Sequence, residues 1–82
     1  MASENEETIM GIIAEIFEIP REQVTREKFF VNDFQAKSIK IIEMCATLED
    51  EFEIEIDMEE ARKNSTVGEA IDYTLGLIEK NQ

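Results

Sequence analysis

The chain has 82 residues, a formal net charge of −12 and a hydrophobic fraction of 43%. This length allows one small domain with a single core. The acidic charge argues against nucleic acid and anionic membranes as partners, because both present phosphates that would repel the surface. With one cysteine and no histidine, an internal disulfide, a zinc site and histidine-based catalysis are excluded.

The first helix is predicted over residues 3–17. Ser3 and Glu6 have the spacing of a capping box, in which each side chain binds a free backbone N–H group. Apolar residues then recur at helical spacing, at Ile9, Ile12, Ile13 and Ile16. The helix should end before Pro20, because the residue that precedes a proline avoids helical angles. The polar, acidic start is not a signal peptide and no apolar run could span a membrane, so we expect a cytoplasmic protein.

A long connection follows over residues 18–37, and its apolar residues have no regular period: Val24, Phe29, Phe30, Val31 and Phe34. Loops of this length are uncommon in compact domains unless they serve a function or are disordered. The apolar content indicates that this loop packs on the core, and we expect a short helical turn within it.

The second helix is predicted to begin at Ser38. Its core stripe is Ile41, Cys45, Leu48 and Phe52, widened by Ile42 and Met44. At 100° per residue, the opposite arc holds Lys40, Glu43, Thr47 and Asp50. Ser38 stands between Lys37 and Lys40, and at a helix start a serine is by itself typical of an N-cap.

The segment EFEIEID, residues 51–57, alternates apolar and acidic residues. It has no partner strand, so we expect an extended connector whose apolar members, Phe52, Ile54 and Ile56, point inward. Asp57 would cap a short helix over residues 58–62. Thr66 and Glu69 form a second capping box, which opens a last helix to about Glu79 with Val67, Ile71, Thr74 and Ile78 inward. The predicted fold is an all-α, monomeric small bundle of three main helices plus one short helix, with a long first loop.

Several segments resemble the acyl carrier protein family. FVNDF at residues 30–34 is similar to the family's F-x-x-D-L run, and STVGEAIDY at residues 65–73 is similar to its T-V-x-x-A-I-D-Y segment. EQVT at 22–25 and LEDEFEIEI at 48–56 resemble its loop and the end of its second helix. The family's G-x-D-S-L motif corresponds to QAKSI at residues 35–39. The resemblance covers about residues 8–79 and predicts one acyl-carrier-like domain over residues 1–82.

The resemblance implies that Ser38 receives a 4'-phosphopantetheine arm from coenzyme A, through a phosphodiester made by a phosphopantetheinyl transferase. The thiol of the arm would carry an acyl group as a thioester between acyl-loading and acyl-processing enzymes, in fatty-acid, lipid or secondary-metabolite biosynthesis. The protein itself would not be an enzyme. A phosphate at a helix start is physically favourable, because free N–H groups and the positive end of the helix dipole lie there.

Three positions depart from the family's motif. Lys37 replaces the acid before the serine, Lys40 stands at a position that is often acidic, and Gln35 replaces a glycine. These departures indicate a specialised carrier with dedicated partners. The lysines have two interpretations: they pair with the added phosphate or an acidic partner, or Lys40 pairs with Glu43 on the solvated surface, where such a pair contributes little.

The resemblance also implies a docking surface on the second helix, for which the candidates are Lys37, Ile39, Lys40, Glu43 and Asp50. The plain alternative is a solvated charged face. A second implied feature is an acyl pocket among the helices, with Ile42, Cys45, Leu48, Ile56, Ala61 and Ile71 as candidates. Cys45 is also interpreted as a buried, unreactive core residue. No metal site is expected, because the acids near residue 57 lack the calcium loop's spacing and glycine.

A different class of function is also consistent with the sequence. The chain could be an unmodified helical adaptor that keeps the carrier fold as a protein-binding module. Ser38 would then be only a helix cap, and its charged neighbours would form the binding face.

Overall fold

The computed structural model describes residues 3–80, and the outermost two residues at each end of the predicted domain lie outside this range. Three main helices form the bundle: α1 (Glu4–Phe17), α3 (Ser38–Phe52) and α5 (Val67–Lys80). Two short helices accompany them, α2 (Phe30–Phe34) and α4 (Met58–Ala61), with a 3-10 turn at Arg21–Gln23. The predicted all-α class and three main helices are confirmed, while the long loop contains α2 in addition. No helix within residues 3–80 is long and apolar enough to cross a membrane.

The core is built from the apolar stripes of α1 and α5. In α1, Ile9 and Ile13 are fully buried, and Ile16 is also buried, while Ile12 packs at the edge. The four residues predicted to point inward from α5 are all buried: Val67, Ile71, Thr74 and Ile78. The Thr74 hydroxyl is satisfied by donating to the Ala70 carbonyl at 2.8 Å, so this polar residue does not weaken the core.

The core stripe predicted for α3 is confirmed, since Cys45 and Leu48 are buried and Ile41 and Phe52 pack against the core, but the buried face is rotated from Ile42 toward Met44. Met44 is buried, whereas Ile42, which was expected to widen the core stripe, is 52% exposed. Lys40 and Thr47, expected on the outward arc, are only half-exposed, and Thr47 borders a shallow groove against Ile12 of α1. Packing of α1 along this flank of α3 thus buries Met44 and turns Ile42 toward solvent.

The long loop is fixed to the core by aromatic rings. Phe17 at the end of α1 lies 5.9 Å from Phe30 and 5.6 Å from Phe34 between ring centroids, and the latter two rings are 6.0 Å apart. Such pairs stabilise beyond the area they bury. The prediction that the loop packs on the core is confirmed for these residues and for Val24, but it is wrong for Phe29 and Val31, which are exposed.

Three helices end in a left-handed residue that is not glycine. Glu18, Gln35 and Glu53 follow α1, α2 and α3 with φ of 56°, 53° and 52°. This conformation favours glycine because a Cβ crowds the backbone there. Gln35 occupies the position at which the resembled family carries glycine, so the structure retains that backbone geometry with a different residue.

The extended connector predicted over residues 51–57 is shorter in the structure, because Glu51 and Phe52 belong to α3 and only residues 53–57 link it to α4. The Ile56 N–H donates to Glu49 Oε2 at 2.8 Å, and the Asp57 N–H donates to the Tyr73 hydroxyl at 3.3 Å. Asp57 caps α4 as predicted, because its Oδ1 accepts from the Glu59 N–H at 2.9 Å. These bonds tie the connector to α3 and α5, and α4 thereby lies near the start of α3.

The N-terminus of α5 is a complete capping box. Glu69 Oε1 accepts from the N–H groups of Ser65 and Thr66, and the Glu69 N–H donates back to Thr66 Oγ1. Gly68 lies against the loop, where an added Cβ would sit 3.1 Å from the Arg26 carbonyl oxygen. At α1 only half of the predicted box forms: Ser3 Oγ accepts from the Glu6 N–H, while the Glu6 carboxylate pairs with Arg26.

Candidate functional site

Ser38 is the first residue of α3 and is exposed. The interpretation of Ser38 as the N-cap is wrong, because Lys37 occupies that position, with extended angles (φ −101°, ψ 160°) and no capping bond from its side chain. Nor does the Ser38 hydroxyl form a hydrogen bond with any residue in the described range 3–80. The hydroxyl is therefore accessible and is not required to hold the helix start.

Two backbone N–H groups at this helix start are free. The N–H groups of Lys40 and Ile41 donate to the Lys37 carbonyl at 3.0 and 3.1 Å. Those of Ser38 and Ile39 find no acceptor among residues 3–80. Free N–H groups at the positive end of a helix favour a bound anion. The start of α3 thus presents an exposed hydroxyl and backbone N–H groups suited to an anion at the same place.

The two lysines beside Ser38 have different environments. Lys40 Nζ lies 3.7 Å from Glu43 Oε1, with both side chains roughly half-exposed. An exposed pair at this distance contributes little to stability. The Lys37 side chain is exposed and forms no ion pair with any residue between 3 and 80. The structure therefore agrees with a solvated ion pair between Lys40 and Glu43, and Lys37 has no such pair within residues 3–80.

An apolar groove of about 190 Å³ runs beside Ser38. Its lining comes from α2, α3 and the α4 region: Val31, Ala36, Ser38, Ile41, Ile42, Met58 and Arg62. Arg62 is the one charged residue in this lining. The sequence analysis did not identify Val31, Met58 or Arg62, because they are distant from Ser38 along the chain and no motif connects them to it.

A second, interior cavity of about 30 Å³ lies between α3, α4 and α5. Four of the six acyl-pocket candidates line it together: Cys45, Leu48, Ile56 and Ala61. Ile71 is fully buried in the core without lining this cavity. Ile42 lines the groove at Ser38 instead, because the packing of α1 on α3 turns this side chain toward solvent.

Ile41 lines both the groove and the interior cavity. The cavity is large enough for one or two water molecules and too small for an extended acyl chain. Because interiors are packed at near-crystalline density, a chain could enter only if the surrounding helices move apart. Ile41 therefore lies where the groove beside Ser38 adjoins the cavity.

Cys45 is a buried residue of the cavity lining. Desolvation raises the pKa of its thiol, and the nearby Glu49 carboxylate adds to the effect. A raised pKa keeps the sulfur protonated and poorly nucleophilic at neutral pH. The prediction that Cys45 is a core residue is confirmed.

The acids of α3 do not all face solvent in the same way. Glu43 and Asp50 are exposed, whereas Glu49 accepts a hydrogen bond from the connector. Ile39, the apolar docking candidate, is 72% exposed. Across residues 3–80, no three side chains of the types that bind metals are grouped closely enough to hold an ion.

Comparison with known protein families gives one match that spans this site. Residues 7–74 match the family described as "Phosphopantetheine attachment site". The matched range begins within α1, ends within α5 and contains Ser38. Members of this family carry covalently attached 4'-phosphopantetheine, and such carrier domains generally interact with transferases and acyl-processing enzymes.

Proposed function

Since the chain belongs to the phosphopantetheine attachment site family, we propose that Ser38 is the residue that bears the 4'-phosphopantetheine arm. The observation that carries this proposal is the start of α3, where an exposed hydroxyl and two backbone N–H groups lie together without hydrogen-bond partners among residues 3–80. Carrier domains of this family are typically not catalytic. We infer that this protein is likewise a carrier and not an enzyme.

Attachment requires little from the protein beyond an accessible oxygen. Ser38 Oγ would attack the phosphorus next to the pantetheine of coenzyme A. A P–O bond to serine forms, the pyrophosphate bond breaks, and adenosine 3',5'-bisphosphate leaves. The serine proton passes to a base on the transferase, since no histidine is present in the chain. The free N–H groups of Ser38 and Ile39 would then donate to the phosphodiester, which stabilises its negative charge.

The cargo is proposed to be an acyl group held as a thioester on the arm. Its chain would enter past Ile41 into the space lined by Cys45, Leu48, Ile56 and Ala61. The small side chains of Cys45 and Ala61 leave room in this wall. Burial of each methylene contributes about 0.8 kcal/mol, which offsets part of the cost of parting the helices.

The exposed face of α3 is proposed as the docking surface for the transferase and for acyl-loading and acyl-processing enzymes. Its members are the five candidates that surround or follow Ser38: Lys37, Ile39, Lys40, Glu43 and Asp50. The lysines at and after the motif support a specialised role in fatty-acid, lipid or secondary-metabolite biosynthesis, performed by a single cytoplasmic carrier domain.

Intact-mass spectrometry tests the proposal. The protein is incubated with coenzyme A and each of the two major types of phosphopantetheinyl transferase. We expect a gain of one phosphopantetheinyl group in the wild type and in Ser65→Ala, a matched change at another exposed serine before a helix. We expect no gain in Ser38→Ala.

A wild-type protein that gains no mass with any transferase, and carries none when purified from its own host, would contradict the proposal and favour the unmodified adaptor. The same material tests the cargo site. Loading an acyl group onto the arm should raise the unfolding temperature above that of the arm alone, because a buried chain stabilises the folded state. An unchanged temperature would indicate that the chain stays in solvent.

A further inference from the structure

Three of the four exposed large hydrophobic residues within residues 3–80 lie around Ser38. Val31 is 68% exposed, Ile39 is 72% exposed and Ile42 is 52% exposed. Val31 and Ile42 line the groove with Ser38, and Ile39 follows Ser38 in the chain. Exposed apolar residues that cluster beside polar ones are typical of a protein contact surface.

The cations beside this apolar surface are not neutralised. Lys37 and Arg62 are exposed, and neither forms an ion pair with any residue from 3 to 80. Arg21, Arg26, Lys40 and Lys63 each lie within 4 Å of a carboxylate, whereas Lys28 and Lys80, like Lys37 and Arg62, form no ion pair among residues 3–80. In a chain with 20 acidic residues and 8 basic ones, two such cations beside one serine are a local exception to the acidic surface.

No carboxylate lines the groove at Ser38. The exposed acids of the same helix lie farther along it, at Glu43, Asp50 and Glu51. Asp50 is twelve residues from Ser38, which corresponds to about 18 Å of helix. The polarity of α3 therefore changes from positive beside Ser38 to negative toward its C-terminal end.

We propose that the apolar and cationic surface formed by Val31, Lys37, Ile39, Ile42 and Arg62 docks partner proteins whose contact region is acidic around an apolar centre. The same partners would be basic where they meet Glu43 and Asp50. A partner that is uniformly basic would place its cations against Lys37 and Arg62, and like charges in contact disfavour binding. The inference rests on the proposed function in one respect, because such a partner must approach Ser38.

The test uses the unmodified protein, so that its outcome does not depend on whether Ser38 is loaded. Two designed amphipathic helical peptides share one leucine face, which is flanked by glutamates in the first and by lysines in the second. Each is titrated into ¹⁵N-labelled protein at low and at physiological salt. We expect the glutamate peptide to shift the amides around Val31, residues 37–42 and Arg62. The lysine peptide should shift those around Glu43 and Asp50.

Charge reversal provides the matched comparison. The Lys37→Glu/Arg62→Glu variant should weaken binding of the glutamate peptide at least about tenfold, because two attractive contacts become repulsive. The Arg21→Glu/Lys80→Glu variant has the same net charge but changes residues that do not line the groove, and its affinity should stay within about twofold because charges outside the contact surface are screened. Equal weakening in both variants would show that only net charge matters and would overturn the proposal.

Three further results would also overturn it: no shifts around Ser38 with the glutamate peptide, tighter binding of the lysine peptide there, or self-association of the protein through these same residues in sedimentation. The mass-spectrometric loading of Ser38 is a separate measurement. A protein that loads but fails the peptide test retains the proposed function and loses this inference. A protein that passes the peptide test but never loads has the docking surface without the carrier function.

Discussion

The N-termini of α3 and α5 each have a hydroxyl-bearing residue but differ in whether their backbone N–H groups have hydrogen-bond acceptors. A serine or threonine lies at the start of each, and each helix is 14 or 15 residues long. At α5, every backbone N–H from residue 65 to residue 70 has an acceptor, supplied by Glu69, Thr66 and two carbonyls of the long loop. At α3, the N–H groups of Ser38 and Ile39 have none within residues 3–80.

The start of α5 therefore stabilises its helix, whereas the start of α3 keeps N–H groups that a ligand could bind. The capping box of α5 uses its threonine and glutamate to satisfy the backbone, which leaves no donor for a ligand. The start of α3 is less stable, because a lysine stands at the N-cap, where the positive end of the helix disfavours a cation. The unmet donors are those that a phosphate on Ser38 could use.

The difference between the two helix starts is tested most directly by removing the hydroxyl group of Thr66 or of Ser38. Thr66→Ala should destabilise the protein by about 1 kcal/mol, because the helix loses a side-chain cap. Ser38→Ala should change stability by less than about 0.5 kcal/mol, as for an ordinary surface substitution. Denaturant unfolding of both variants provides the measurement. Equal losses would mean that Ser38 also supports its helix.

A second change would make α3 resemble α5. Lys37→Asp places an acceptor at the N-cap and removes a cation from the positive end, so we expect stability to rise by about 0.5–1 kcal/mol. Lys63→Asp makes the same change in charge at an exposed site away from an N-cap and is the control. If both variants unfold at the same denaturant concentration, the free N–H groups of α3 are not accessible to a capping side chain.

The smallest change in stability is expected from protonation of Glu69 at low pH. Hydrogen bonds from the Ser65 and Thr66 N–H groups lower the pKa of Glu69. Because the pKa is lower in the folded state, the ionised Glu69 carboxylate stabilises the protein at any pH above the ordinary pKa of glutamate. This stability is lost as pH falls through the pKa of the folded state. Between about pH 7 and about pH 3, Glu69→Gln should therefore lose less stability than the wild type.

Glu51→Gln serves as the control for this prediction, since Glu51 is exposed and its side chain makes no hydrogen bond with residues 3–80. Unfolding curves at several pH values compare the three proteins. The same pH dependence in both variants would show that protonation of Glu69 does not contribute to acid sensitivity.

Much of the fold follows from local signals in the sequence. Capping residues and apolar periods predicted the extents of α1 and α5, and Asp57 predicted the start of α4. A short helical turn in the long loop was predicted, but its position and extent as α2 were not, because its five residues lie in an aromatic run without a period. Its position depends on the contact of Phe30 and Phe34 with Phe17, which is a tertiary interaction.

The rotation of α3 could not be predicted for a related reason. Ile39, Ile41, Ile42, Met44 and Cys45 give this helix apolar residues around most of its circumference. The period alone cannot then decide which of them is buried, and the packing of α1 does so. The resemblance pointed to Ser38, but the groove beside it is assembled from three separated segments, and Arg62 became visible as a neighbour only in the folded chain.

The position of Ile41 between the groove and the interior cavity has a consequence for selectivity by length. A β-branched side chain in a helix strongly prefers one rotamer, so turning Ile41 aside would cost about 1 kcal/mol. Each methylene that then reaches the interior gains about 0.8 kcal/mol. A cargo with one methylene would barely offset the rotamer change, and only a longer chain could also offset the cost of parting the helices around a cavity of about 30 Å³. Shelter of the cargo would therefore depend on chain length.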